Sequence, residues 1–256
     1  VHTKFIPDYN KIIPTKPYTE DILGLPVINI RHVPLTNTFN SMVKRSIDIF
    51  GALVAIILFS PIMLISAILV KTTSKGPLIF RQERVGLHNK PFYMYKFRSM
   101  AVQEIKDEKA AWTTKNDPRV TGIGKIMRKT SIDELPQLFN ILRGDMSFVG
   151  PRPELLLYTT QYTKEQECIL WVRPGITDRS SIVYIAQDEI VGTENPVENF
   201  EKYILPEKNR LRVEYALHQS FPLDVELFFE TIGGVFGKAK KMADEKHEQG
   251  VKEPQK

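Results

Sequence analysis

Apolar positions concentrate in one block, Ser46 to Val70, which carries a single charge, Asp48, near its start. As one straight helix this block would reach roughly 37 Å, enough to cross a hydrocarbon core of about 30 Å. No polar face interrupts it, which separates it from the amphipathic helices of a soluble core. Two features argue against a simple span. Ser60-Pro61 lies inside the block, where a proline removes a backbone donor and crowds the preceding turn. The halves on either side would be roughly 21 Å and 15 Å long, and neither crosses alone. Lys44 and Arg45 precede the block while Lys71 and Lys75 follow it. Positive residues favour the cytoplasmic side, and a spanning helix would place one cluster on the wrong side. A hairpin that enters and leaves one leaflet satisfies both clusters, and a kinked spanning helix is the alternative. In a hairpin, the Ser60 hydroxyl could serve a backbone group freed at the bend.

The pattern elsewhere is that of short elements. Residues 1–41 hold a proline-bearing stretch and a short apolar run, Leu25 to Ile30, and read as a linker or the tail of an upstream domain. Residues 42–75 are the membrane candidate, 76–236 the main folded domain, and 237–256 a charged, apolar-poor tail expected to be disordered. From Phe80 to Met100 apolar and aromatic runs alternate around Val85-Gly86 and Asn89-Lys90-Pro91, which predicts a small β-hairpin. Residues 101–118 are polar and read as an exposed helix or loop. Helical patterns follow at Glu154–Val172 and Val197–Tyr215, then an apolar stretch from Leu223 to Phe236. The whole is an α-rich α+β chain with amphipathic helices.

Composition adds little beyond this: 42% hydrophobic and 25% charged residues are ordinary for a globular protein. A net charge of +5 suggests an anionic partner: nucleic acid, anionic lipid or phosphorylated metabolites. Nucleic acid is disfavoured, because the cations flank an apolar block and acidic motifs and no nucleic-acid module is recognisable. The single cysteine, Cys168, excludes an internal disulfide and a CxxC metal site, and fits a reducing compartment. His88 and His218 lack spaced partners and read as structural or surface residues. Trp112 and Trp171 suit the core better than the membrane interface. The chain opens on Val1 without a signal peptide, and reads as the C-terminal part of a longer protein.

The densest chemistry lies between Gly124 and Asn140. A helix is expected here with Leu135, Leu138, Phe139 and Leu142 on its apolar face. Ser131 and Glu134 have capping-box spacing, so Asp133-Glu134 taken alone reads as a helix start. Its neighbours point further. Arg128 and Lys129 stand upstream, Arg143 downstream, and Arg152 lies between prolines in Gly150-Pro151-Arg152-Pro153. Cations gathered near two carboxylates suit a site that grips phosphate. Adjacent carboxylates also offer hard oxygen ligands for Mg²⁺, which bridges protein carboxylates and substrate phosphates. With those charges present, an ionised Asp can approach a phosphorus that would otherwise repel it.

The run Ser131-Ile132-Asp133-Glu134-Leu135-Pro136-Gln137-Leu138-Phe139-Asn140 and the run Gly144-Asp145-Met146-Ser147-Phe148-Val149-Gly150-Pro151-Arg152-Pro153 closely resemble the bacterial sugar transferase family, the monotopic polyprenol-phosphate phosphoglycosyl transferases. The resemblance extends through Lys44-Arg45-Ser46-Ile47-Asp48, Ser60-Pro61, Gln82-Glu83-Arg84-Val85-Gly86, Tyr95-Lys96-Phe97-Arg98-Ser99-Met100 and Arg173-Pro174-Gly175-Ile176-Thr177, covering roughly residues 42 to 236. It implies a re-entrant helix-break-helix at the inner (cytoplasmic) membrane of a bacterium, with the catalytic domain on the cytosolic face. It implies that Asp133 attacks the sugar-bearing phosphorus of a UDP-sugar, releasing UMP, and that undecaprenyl phosphate then takes the phosphosugar. Glu134 would hold Mg²⁺ with Asp133, Arg128 would contact phosphate, and Lys96 and Arg152 would lie near the same pocket. The partners implied are the UDP-sugar, undecaprenyl phosphate and the lipid bilayer, with a homo-oligomer allowed. The step would open polysaccharide or glycoconjugate synthesis. A membrane-anchored, non-catalytic scaffold is the alternative. One segment departs from the pattern. After Thr177 many members continue Gly-[Leu or Trp]-Ala-Gln-Val-Asn-Gly-Arg-Asn, whereas this chain reads Asp178-Arg179-Ser180-Ser181-Ile182-Val183. The arginine of that segment has no assignable equivalent, and the transferred sugar stays open.

Overall fold

A single helix, α1 (Thr38–Thr73), carries the whole apolar block, and it is not interrupted at Ser60-Pro61. The computed structural model describes residues 18–22, 25–29, 38–101, 117–185, 195–234 and 237. The break expected at Pro61 is not seen as a gap in the helical run. A proline here leaves the carbonyl four residues back, that of Ile57, without its usual donor. The Ser60 hydroxyl donates to that same carbonyl at 2.8 Å, so the missing bond is replaced from the neighbouring side chain.

The burial of α1 is uneven along its length. Asp48 and Ala52 are buried on the N-terminal arm, Ser66 and Val70 on the C-terminal arm, and all six residues from Ile57 to Ile62 are exposed. Both arms thus pack on the rest of the protein while the stretch around Pro61 stands clear of it. The basic residues before the block are consumed by this docking. Lys44 pairs with Asp224 and donates to the Val149 carbonyl at 3.1 Å. Arg45 donates to the Ile141 and Leu142 carbonyls at 2.6 and 2.8 Å, at the end of α3 (Gln137–Arg143), where a cation also favours the helix dipole. At the other end Arg98 donates to the Ser74 carbonyl at 2.6 Å.

The predicted hairpin is present as β3 (Ile79–Val85) and β4 (Pro91–Phe97), antiparallel, with Val85 opposite Pro91 and Ile79 opposite Phe97. A second hairpin, β1 (Tyr18–Ile22) and β2 (Leu25–Asn29), lies within the segment read as a linker. Helix α2 (Gly122–Lys129) opens on a Thr121 cap whose hydroxyl accepts from the Gly124 amide. A 3-10 turn, Ile132–Glu134, leads into α3. Ala52, Met94, Leu138, Ile141 and Met146 form a core between α1, the hairpin and α3. Phe139, expected on the apolar face of α3, is exposed, and Ile141 takes the buried place.

Two strands of three residues, β5 (Ser147–Val149) and β6 (Gly175–Thr177), pair in parallel. They end where two glycine backbones touch: a Cβ on Gly150 would lie 2.3 Å from the Arg173 carbonyl oxygen, and one on Gly175 2.2 Å from the Gly150 nitrogen. Only glycine allows that approach, and it sets the exit of the Pro151-Arg152-Pro153 loop. The helical pattern expected over 154–172 resolves into shorter pieces, α4 (Leu156–Thr159) and a 3-10 run Gln166–Trp171. Further on, α5 (Arg179–Val183) and a turn Pro196–Asn199 precede one wide π turn, Phe200–Ile204. That turn runs directly into α6 (Leu205–His218). A last helix, α7, spans 221–234. Trp171 packs against Cys168, Val172 and Ala216, in keeping with a core role, and His88 and His218 are exposed. The readings made for Trp112 and most of the polar 101–118 stretch lie outside the described residues. So do those for 186–190 of the departing segment and for the tail beyond Gly237.

Candidate active site

Asp133 and Glu134 sit in the 3-10 turn between α2 and α3, and the two carboxylates face different surroundings. Ser131 adopts a left-handed backbone conformation (φ 57°, ψ 16°), and its side chain caps nothing. The capping box is therefore corrected. Glu134 does not turn back to the helix start because stronger partners take it: Lys96 Nζ donates to its Oε1 at 2.8 Å, and Arg152 Nη2 donates to the same oxygen. Lys96 comes from β4 and Arg152 from the loop after β5, so three separate elements meet on one carboxylate. The three side chains are 21 to 24% exposed, which leaves the cluster open to solvent on one side.

Asp133 is buried, at 7% exposure, and accepts no hydrogen bond among the described residues. Burial and the neighbouring Glu134 charge push its carboxyl up to about 6, against the opposing pull of Lys96, Arg128 and Arg152. For Glu134 burial acts the same way. There, however, the charges of Arg152 and Lys96 and their hydrogen bonds outweigh it and hold the carboxyl below the usual range. Lys96 is itself held below the ordinary lysine range by burial, against the pull of Glu134. One carboxylate is thus neutralised by two cations, while the other is left unbonded beside them. An unbonded, partly desolvated carboxylate among cations is suited to attack an electrophile that carries negative charge.

The sequence-predicted residues do not all converge. Lys96, Glu134 and Arg152 touch one another. Arg128 acts on Asp133 as a nearby charge, and among the described residues it makes a weak contact to the Met100 sulfur at 3.7 Å. Arg143 is exposed and donates to the Tyr95 hydroxyl at 2.8 Å. Arg179 pairs with Glu226 on α7 at 2.7 Å. Lys44 and Arg45 serve the docking of α1. Two residues that the sequence did not single out bear on the site: Asp178 Oδ2 accepts from the Arg152 backbone N–H at 3.0 Å, and the Arg212 side chain lies against Asp178. The sequence signal of Arg212 is a charge between Leu211 and Val213, and that of Asp178 is its N-cap position before Arg179 in the segment that departs from the family pattern.

The oxygen donors suit a hard divalent cation in part. Both bonds to Glu134 fall on Oε1, and among the described residues neither Oε2 nor the adjoining Asp133 carboxylate accepts a hydrogen bond. No group of three or more His, Cys, Asp or Glu ligands occurs among the described residues. A fully protein-made cage is absent from them, so a metal here would depend on substrate oxygens, the usual situation for Mg²⁺ at phosphate sites.

A buried carboxylate beside one paired with two cations, with the Arg152 loop against them, is an arrangement suited to phosphoryl chemistry. The chain belongs to the bacterial sugar transferase family, whose profile matches residues 39–238. It is 42% identical over 235 residues to the UDP-glucose:undecaprenyl-phosphate glucose-1-phosphate transferase of Klebsiella pneumoniae, covering 89% of this chain and 47% of that protein. It is 41% identical over 201 residues to the UDP-N-acetylgalactosamine-undecaprenyl-phosphate N-acetylgalactosaminephosphotransferase of Aeromonas hydrophila, covering 77% and 44%. A third relative, the exopolysaccharide production protein PSS of Rhizobium leguminosarum bv. phaseoli, is 35% identical over 201 residues, covering 75% of this chain and 94% of that protein. The chain thus spans less than half the length of the first two and nearly all of the third.

Proposed function

We propose that this chain transfers a hexose 1-phosphate from a UDP-sugar to undecaprenyl phosphate through a covalent intermediate on Asp133. In the first half-reaction an Asp133 oxygen attacks the phosphorus that bears the sugar. The bond from that phosphorus to the bridging oxygen breaks, UMP departs with the electron pair, and an acyl-phosphate ester to the sugar remains. In the second, an oxygen of undecaprenyl phosphate attacks the same phosphorus, frees the Asp133 carboxylate and yields the diphosphate-linked lipid sugar. Arg152 and Lys96 hold Glu134 in place and offset the diphosphate charge, and Arg128 adds positive potential at the nucleophile. Glu134 with Asp133 would hold Mg²⁺, which when bound supplies further neutralisation of the diphosphate. The observation that carries the reading is the contrast within the pair, with Asp133 unbonded and Glu134 bonded to two cations. The relatives' names support the donor and acceptor classes, and their different sugars leave the hexose to be assigned.

The decisive experiment is UMP release across a panel of UDP-sugars, with undecaprenyl phosphate in nanodiscs, together with intact-mass detection of a phosphosugar adduct. Adduct formation with one donor, lost in Asp133→Asn, supports the reading. Product formation without any adduct removes the covalent step, and silence with every donor favours the scaffold alternative.

The same proposal includes a membrane path for α1 that enters and leaves the cytosolic face of the inner membrane, bent near Pro61. It is supported by the docking of both arms on one domain and by the exposed stretch 57–62. Single cysteines at Met42 and Thr72, in a Cys168→Ser background, should both react with an impermeant maleimide only from the cytosolic side. Labelling of the two from opposite sides would make α1 a spanning helix.

A further inference from the structure

Arg152 reaches Glu134 from a short loop, and the loop is held by a second ion cluster that none of the sequence motifs describe. Its centre is Arg212 on α6, at 1% exposure among the most deeply buried side chains of the protein. Arg212 Nη2 contacts Glu154 Oε1 at 2.9 Å, its Nε lies 3.5 Å from Asp178 Oδ2, and its Nη1 donates to Asn209 Oδ1 at 3.2 Å. These two carboxylates bracket Arg152. Asp178 Oδ2 accepts from the Arg152 backbone N–H at 3.0 Å, while Glu154 lies two residues downstream, and its carbonyl accepts from the Val85 amide at 3.0 Å. Arg84 closes the far side, donating to the Pro153 carbonyl at 3.3 Å and lying 3.6 Å from Glu154.

We infer that Arg212 is a positioning residue, which by holding Asp178 and Glu154 sets the loop that presents Arg152 to Glu134. This rests on the phosphoryl-transfer reading above, because it assigns Arg212 a role in that reaction without contact to substrate. A guanidinium is required because its planar fork spans two carboxylates at once, whereas an ammonium keeps the charge but loses the fork. A small displacement of Arg152 is enough to matter, since misplacement by about 1 Å from a remote change can cost on the order of 100-fold in rate.

A double-mutant cycle in the full chain separates this role from plain stabilisation. Arg212→Lys is expected to lower kcat/KM for the UDP-sugar by about 10- to 100-fold at a temperature where the variant is folded. In an Arg152→Ala background the same substitution should change kcat/KM by less than about twofold, because the residue it positions is gone. Equal losses in both backgrounds, or no loss with Arg152 present, overturn the inference. Hydrogen exchange gives a reading independent of turnover. Arg212→Lys should speed exchange in peptides covering 150–154 and leave the β3–β4 hairpin unchanged, and unaltered exchange at 150–154 also overturns the inference. Should Arg212→Lys not fold, the neutral set Arg212→Met, Asp178→Asn, Glu154→Gln leaves no buried carboxylate unpaired, and takes its place in both measurements with the same expected outcomes. Wild-type protein that releases no UMP overturns the proposed reaction, while the exchange result still decides whether Arg212 holds the loop.

Discussion

Two clusters of charge meet at Arg152, and they are built with opposite stoichiometry. In one, a single carboxylate, Glu134, receives two cations and all three side chains keep about a fifth of their surface in solvent. In the other, a single guanidinium, Arg212, is shared by two carboxylates, and it and Asp178 are each 1% exposed. The open cluster can exchange partners, because water and a diphosphate can replace what a protein group gives up. The closed one cannot, since a buried charge without its partner has no solvent to turn to. The difference teaches that one ion-pair chemistry suits two ends: an open cluster able to adapt to a ligand, and a closed one able to fix a loop.

The largest effect expected from breaking this arrangement is catalytic. Asp133→Asn should lower the rate of UMP release by at least about 10³-fold. Since Asp133 accepts no hydrogen bond among the described residues and sits beside Glu134, the same change should leave the melting temperature unchanged or raise it. A fall in melting temperature would show that the carboxylate carries structure instead. Next in size is the closed cluster. Arg212→Met leaves Asp178 without its guanidinium and Glu154 with the longer Arg84 contact in place of the close one, and should cost about 3–5 kcal/mol in chemical denaturation. Glu134→Gln, in the open cluster, should cost only about 1 kcal/mol while still lowering activity. Equal stability losses for the two would erase the distinction.

A smaller and graded effect comes from pH. In the proposed reaction Asp133 attacks as its anion, so kcat/KM should be flat above its ionisation near 6 and fall about tenfold per pH unit below it. Because folding raises this carboxyl above its unfolded value, its protonated form favours folding at low pH, and that contribution is lost by ionisation as pH rises through about 6. Glu134, held low by Arg152 and Lys96, works in the opposite sense: its contribution is present above the unfolded value and disappears as pH falls. Measured melting temperatures of Asp133→Asn and Glu134→Gln across pH 4 to 7 should therefore diverge from wild type in opposite directions. The smallest expected effect is Ser60→Ala, which strips the Ile57 carbonyl of its replacement donor and should cost about 1 kcal/mol, read as a lower melting temperature in nanodiscs.

Much of the protein was legible in the order of its residues. The uniform apolar block announced a single long apolar helix, long and apolar enough to cross a membrane. The alternating runs between Phe80 and Met100 announced the hairpin, and the motif from Ser131 to Pro153 announced the paired carboxylates together with the loop arginine. Local rules misled where a distant partner outbid a near one. Ser131 and Glu134 had capping spacing, yet Lys96 and Arg152 offered Glu134 two charged donors, which outweigh one backbone amide. Pro61 had the mark of a break, yet the adjacent hydroxyl repaired the bond it removed. Lys44 and Arg45 were read only as a positive cluster beside the apolar block, and the fold adds that Asp224 and the end of α3 engage them.

What the sequence determined by itself was the identity of the groups and their local spacing: the apolar length of α1, the adjacent acids, the proline-flanked arginine. What only the tertiary structure decided was which charge each group would face. Asp133 and Glu134 are neighbours in the chain and nearly alike in chemistry, and nothing in their order says that one will be bonded twice and the other not at all. That outcome depends on Lys96 from β4 and Arg152 from beyond β5 arriving at the same oxygen. It depends as well on Arg212, 60 positions past Arg152 in the chain, holding the loop in place. Electrostatic interactions act through space and depend on burial, and sequence spacing carries neither.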